Sequence, residues 1–244
     1  MTRLPAEFDR LYRAAADAPF VDAQGRVRAL VLEVVQPAGW DALSLLWQGV
    51  QAELELPAPA IAVSGLDAIQ LWFSLEAPLA AADAQAFLAA LRERFLPELA
   101  ASRVRLWPDA APPSRPLASV PALQASTGNW SAFVSPDLAA IFSDTPWLDI
   151  EPGDEGQAAL LRPLQPIKPA ALASALARLR PQASRAGAPA ATPAPASATA
   201  GSGDASLEDD PRRFLLRVMN DERVDLALRI EAAKALLASR DPEA

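Results

Sequence analysis

The side chains available for chemistry in this chain are few in kind. It holds no cysteine and no histidine. Thiolate nucleophiles, disulfides, Cys/His zinc sites and Ser-His-Asp triads are thereby removed together. Carboxylates, hydroxyls, amides and guanidinium groups are left, and any metal would be a hard cation held on carboxylate oxygen. Residues 27–35 read Val-Arg-Ala-Leu-Val-Leu-Glu-Val-Val, an apolar run interrupted near its end by Glu33. Further on, a Ser64-Gly65 turn precedes Gln70-Leu71-Trp72-Phe73. A carboxylate in such a strand can ligate a cation or accept a proton. Its ordinary reading is a strand-end group that reaches solvent or pairs with an arginine such as Arg28. Ser64-Gly65 is first of all a hairpin turn, and Gln70 an edge or surface polar residue. Arg103 and Arg105 flank a strand that reaches Trp107, and arginine beside an aromatic can stack bases. The six tryptophans, Trp40, Trp47, Trp72, Trp107, Trp130 and Trp147, otherwise read as core or rim packing.

The elements that must position these groups follow from hydrophobic period. Leu4, Phe8, Leu11, Tyr12 and Ala15 share one helical face, predicting an amphipathic helix over 4–16. The β-branched run 27–35 predicts a buried central strand. Leu43, Leu46, Trp47, Val50 and Leu54 predict a helix over 41–56, with Asp41 as its N-cap and Pro57 and Pro59 ending it. Residues 60–63 and 69–75 predict a hairpin, 81–95 a helix, 103–107 a half-buried strand and 130–134 one more strand. The prolines between 108 and 121 keep that stretch irregular. Helices follow near 136–142, 156–162 and 169–180. Hairpins mixed with helices, without a strict βαβ alternation, predict an α+β domain over residues 1–180. Its sheet is expected to be mainly antiparallel, with helices packed on it.

Residues 181–205 contain no aliphatic side chain larger than alanine and no aromatic. They cannot bury enough surface to offset the entropy of ordering, so a disordered Pro/Ala linker is expected. Residues 206–244 return to helical period and read as a helical hairpin. Phe214, Leu215, Val218, Ile230, Leu236 and Leu237 are its candidate partner-binding side chains. Fewer than about 40 residues seldom fold alone, so this tail is expected to grip a partner protein.

The order of these pieces resembles the archaeo-eukaryotic primase superfamily over residues 25–140. The resemblance rests on the apolar strand with Glu33, the Ser64-Gly65 turn and the strand of Gln70 to Phe73. Leu106-Trp107-Pro108, Thr127-Gly128-Asn129-Trp130 and Pro136-Asp137-Leu138 follow in order. The resemblance implies metal-binding carboxylates at the strand end and a nucleotide-contacting histidine after the Ser-Gly turn. Here those positions hold Glu33, then Val35, which cannot bind metal, and Gln70. A third carboxylate would be Asp109 or Asp149. Two-metal nucleotidyl transfer needs a carboxylate cluster, so the resemblance implies a degenerate, non-catalytic primase-like domain, with Glu33 and Gln70 as vestiges. Ser64, Gly65, Arg103 and Arg105 are its candidate nucleic-acid contacts, and single-stranded nucleic acid the candidate ligand. The setting implied is a mobile-element or defence-related system. No cofactor is expected, or magnesium if residual activity exists. The tail resembles a segment of phage-related proteins.

Charge bears on the same question. Twenty-two basic against 30 acidic residues give a net charge of −8, so the whole-protein field does not steer the chain toward a polyanion. Nucleic-acid binding would need a local basic face. The alternative is a protein-interaction adaptor acting through the tethered helices, with no nucleic-acid contact. An active enzyme would need Glu33 to share a cation with Asp109 or Asp149. The start of the chain lacks a signal-peptide pattern and no apolar run is long enough to span a bilayer, so a cytoplasmic protein without membrane contact is expected.

Overall fold

A strand that is apolar on both faces is stable only in the middle of a sheet that is covered on both sides. The computed structural model describes residues 3–16, 18–37, 39–109 and 116–179, and it places that strand there. The strands are β1 (Arg26–Val35), β2 (Ala60–Val63), β3 (Ala68–Ala80), β4 (Val104–Trp107) and β5 (Ala132–Val134). They form one sheet in the order β4-β1-β3-β2-β5, with every pairing antiparallel. The helices are α1 (Arg3–Tyr12), α2 (Trp40–Ala52), α3 (Ala81–Phe95), α4 (Asp154–Leu161) and α5 (Pro169–Leu179). The fold is α+β, as the sequence predicts. The linker 181–205 and the tail 206–244, with its partner-binding candidates, lie outside the described residues.

Register divides the sheet into two faces. Leu30, Leu32, Leu71 and Phe73 share one of them by pairing Leu30 with Phe73 and Leu32 with Leu71. Phe87 of α3 meets Phe73 edge-on at 6.3 Å, and α2 and α5 pack beside α3. On the other face Val31 pairs with Trp72 and with Trp107. There α1 contributes Phe8 and Tyr12. Tyr12 meets Trp72 at 5.2 Å and stacks on Phe133 of β5 at 6.2 Å, while Phe20 meets Trp107 at 5.9 Å. Edge-to-face pairs of this kind contribute about 0.5–1.5 kcal/mol each beyond burial. Trp72 and Trp107 are buried in the core, Trp40 and Trp47 pack against it, and Trp130 and Trp147 are half-buried outside it.

Several element ends differ from the sequence reading, each for a local reason. Helix α1 stops at Tyr12 rather than near residue 16. The Arg28 guanidinium donates to the carbonyls of Arg10 and Arg13 just there. Helix α2 is capped by Gly39, not by Asp41. The Trp40 N–H is met from a distance in sequence by the hydroxyl of Ser143, 3.1 Å away. Strand β3 runs on to Ala80 because its far half pairs with the start of β1 and with a bridge at Ile167. Residues Pro136–Phe142 form a 3-10 helix. At the β5 edge the side-chain amide of Gln157 on α4 accepts from the Phe133 N–H at 2.7 Å and donates to the Phe133 carbonyl at 3.0 Å. That buried amide thus takes up the pair of main-chain groups that an outer strand would have used. Among the described residues, no helix is long and apolar enough to cross a membrane.

Candidate functional site

The second face of the sheet is aromatic at one end and polar at the other. Cross-strand register sets a polar row. Arg105 of β4 stands opposite Glu33 of β1, Glu33 opposite Gln70 of β3, and Gln70 opposite Ala62 of β2. Residues directly opposite on antiparallel strands hold their side chains within reach of one another. The Gln70 amide accordingly donates to Glu33 Oε1 at 2.6 Å and accepts from the Trp72 indole N–H at 2.8 Å. Arg105 lies 3.5 Å from Glu33 Oε2 and makes a close ion pair with Asp67. Glu33 and Gln70 are both buried; Gln70 is thus not the edge or surface residue its type suggested, because β3 lies inside the sheet between β1 and β2. A buried carboxylate is tolerable only when paired and hydrogen-bonded, and this row supplies both.

Burial works against the charge on Arg105, but hydrogen bonding and the charges of Asp67 and Glu33 outweigh it and hold its pKa above the usual arginine value. Arg28 does not meet Glu33. Five residues along a strand is about 16 Å, and the Arg28 guanidinium goes to Leu75 and to the end of α1.

Above the polar row lies a cavity of about 270 Å³. Its floor and wall are Glu33, Ser64, Asp67, Gln70 and Arg105, and residues 116–120, Gln124 and Ser131 cover it. The covering segment is pinned in place. The Ser131 hydroxyl accepts from the Ala122 N–H at 2.8 Å, and the Ser119 hydroxyl accepts from the Arg13 guanidinium at 3.0 Å. Gly65 has φ +78°, and a Cβ there would stand 2.8 Å from the Ser131 nitrogen. Glycine is therefore required twice, for the left-handed turn and for the close approach of backbone. The Ser64 hydroxyl closes that turn by accepting from the N–H groups of Leu66, Asp67 and Ala68 at 3.0–3.1 Å.

Sequence reading thus singled out Glu33, Ser64, Gly65, Gln70 and Arg105; the structure brings Glu33, Ser64, Gln70 and Arg105 to one cavity, with Gly65 in the turn next to Ser64. Arg103 stands apart, exposed, with its guanidinium on the Gln36 carbonyl. Asp109 and Asp149 do not line the cavity. Sequence reading missed Asp67 and the covering residues Gln124 and Ser131. An acidic residue three positions after the turn serine is the one local signal for Asp67.

The donor set does not fit a divalent metal. The Glu33 oxygens face the Gln70 amide and the Arg105 guanidinium, and the next inward position on its strand, Val35, pairs with Ala68. Among the described residues, no group of three or more Asp, Glu, His or Cys is placed to hold a metal ion. What the arrangement can do is hold a rigid, hydrogen-bonding concavity with a fixed internal ion pair. No protein-family model matches the chain, and no curated protein does either.

Proposed function

We propose that this chain is a non-catalytic, primase-like protein with a nucleic-acid-associated or regulatory role in a mobile-element or defence-related system. One observation carries the reading. The three pieces of the resemblance that would carry chemistry are Glu33 on its apolar strand, the Ser64-Gly65 turn and Gln70 on the following strand. They meet at a single cavity on one face of an antiparallel sheet. In a nucleotidyl transferase a carboxylate at such a place would hold cations. Here Arg105, shared with Asp67, supplies positive charge from within the fold, so the carboxylate is paired without a metal. The domain keeps a shaped cavity and lacks the means of two-metal chemistry.

The test is fluorescence anisotropy of labelled single-stranded DNA with the full chain, in Mg²⁺ at low and moderate salt. Binding that weakens with salt, and weakens further in Arg103→Gln/Arg105→Gln, supports a retained nucleic-acid surface. Absence of binding at micromolar protein and low salt overturns it.

A second reading, a protein-interaction adaptor without nucleic-acid contact, is favoured by how the two arginines are used. Arg105 is engaged by Glu33 and Asp67, and Arg103 by the Gln36 carbonyl, in a chain of net charge −8. A flat DNA titration combined with an intact fold leaves this reading standing.

A further inference from the structure

On the face of the sheet opposite the polar cavity, α2 and the end of α3 enclose an open groove of about 450 Å³. One wall is a single stripe of α2. Ala42, Leu45 and Glu53 line it, and with Gly49 they follow the three- and four-residue spacing that puts side chains on one helical face. From Ala42 to Glu53 this wall runs about 16 Å, at 1.5 Å per residue. The opposite wall is Phe95, Leu96, Pro97 and Leu99. At Gly49 the Phe95 ring packs against the helix backbone, since a Cβ there would stand 2.2 Å from that ring. Leu45 points outward beside this groove with 63% of its surface exposed.

The charges along the groove have one sign to spare. Among the described residues Arg94 is the only cation lining it, and it is spent on Glu53 at 2.7 Å. Glu98 lines the groove, and Asp41 precedes Ala42 on α2. Both are exposed, and neither has an ion pair among the described residues. An apolar trough with unpaired carboxylates beside it repels phosphate backbones and anionic lipid alike, and it complements an apolar stripe bordered by lysine or arginine.

We propose that this groove is a docking site for a short basic amphipathic helix of a partner protein. The helix would seat an apolar side chain between Leu45 and Phe95 and place its cationic flank beside Asp41 and Glu98. A length of about 16 Å matches three turns of such a helix. The proposal stands independently of any nucleic-acid surface, because none of these residues lines the polar cavity.

The experiment titrates the full chain with a fluorescein-labelled synthetic Leu/Lys amphipathic helix of three to four turns. A Leu/Glu version and a sequence-scrambled Leu/Lys version serve as comparisons. Expected is saturable binding of the Leu/Lys helix alone, weakened at least tenfold by Leu45→Ser. Asp41→Asn/Glu98→Gln should weaken it about fivefold, and amide NMR shifts should centre on α2 and residues 95–99. Leu45 and the two carboxylates are exposed, so these variants keep the fold, and far-UV circular dichroism verifies that. Binding that ignores Leu45→Ser, or that the scrambled peptide shares, is mere charge attraction and overturns the proposal. So does no saturation at millimolar peptide. A parent chain that sediments as a dimer and becomes monomeric on Leu45→Ser also overturns it, because the groove would then be filled by a second copy.

Discussion

Replacing Gln70 by leucine is the sharpest test of the polar row. The Gln70 amide makes two buried contacts at once, donating to Glu33 at 2.6 Å and accepting from the Trp72 indole at 2.8 Å. Leucine keeps the volume and removes both. Leaving a buried donor unsatisfied costs about 1–3 kcal/mol, and withdrawing a hydrogen bond from a charged group about 1.5–3 kcal/mol. The expected loss for Gln70→Leu is therefore about 3–5 kcal/mol. The Arg105 ion pair offsets little of it, because that guanidinium is partly exposed and such pairs contribute about 0–1 kcal/mol. For a domain of this size each kcal/mol moves Tm by about 2–4 °C, so Tm should fall by about 10 °C. The assay is urea and thermal unfolding followed by far-UV circular dichroism. The double variant Glu33→Leu/Gln70→Leu also removes the carboxylate that loses the Gln70 hydrogen bond in the single variant. It should lose less than the sum of the two single variants, with a coupling of about 1–3 kcal/mol. A Gln70→Leu protein within about 0.5 kcal/mol of the parent, the range of ordinary surface changes, would refute the claim that this row holds the site together.

Three more outcomes follow from the same kind of reasoning. Gln157→Leu strips partners from the N–H and carbonyl of Phe133 and should cost about 2–5 kcal/mol in urea unfolding. Gly49→Ala gains about 1 kcal/mol of helix propensity but forces the Phe95 ring to move, so a net loss of about 1–2 kcal/mol is expected from overpacking. Gly49→Ala/Phe95→Leu should recover most of that loss. Tyr12 is the chain's one tyrosine, and burial raises its pKa far above the usual value. Its phenolate band near 295 nm should be absent from native protein at pH 11. The unfolded chain releases this proton near pH 10, so the stability that Tyr12 contributes is full below that pH and lost as pH rises beyond it. A phenolate band titrating near pH 10 while the circular dichroism stays native would contradict the burial.

What was legible in the sequence was what local period determines. The run 27–35, the hairpin of 60–63 with the following strand, and the helix 81–95 were readable because their hydrophobic spacing sits within a dozen residues or so. The site was legible only in part. Glu33, Ser64 and Gln70 stood out by type and setting, but the partner of Glu33 was not Arg28, its near neighbour in sequence. It was Arg105, which only the antiparallel register of β1 with β4 brings alongside. Similarly, Asp41 had the right chemistry to cap α2, yet the cap position is Gly39 and the first free N–H, that of Trp40, is met by Ser143, just past the 3-10 helix that follows β5. Contacts of this length depend on how the sheet is ordered, and no short window of sequence encodes that order.

Gln157 has a consequence for self-association. A strand at the rim of a sheet is a template on which a second molecule can add its own strand, and growth of that kind ends in aggregates. At β5 the main-chain groups of Phe133 are already occupied by a side chain of the same molecule. A neighbour cannot extend the sheet at Phe133 without first prying α4 away. The edge is closed without a charged lysine or a proline in the strand itself. A single amide therefore turns a three-residue strand into a terminus of the sheet, and association at that edge must proceed through side chains, with the selectivity that side chains bring.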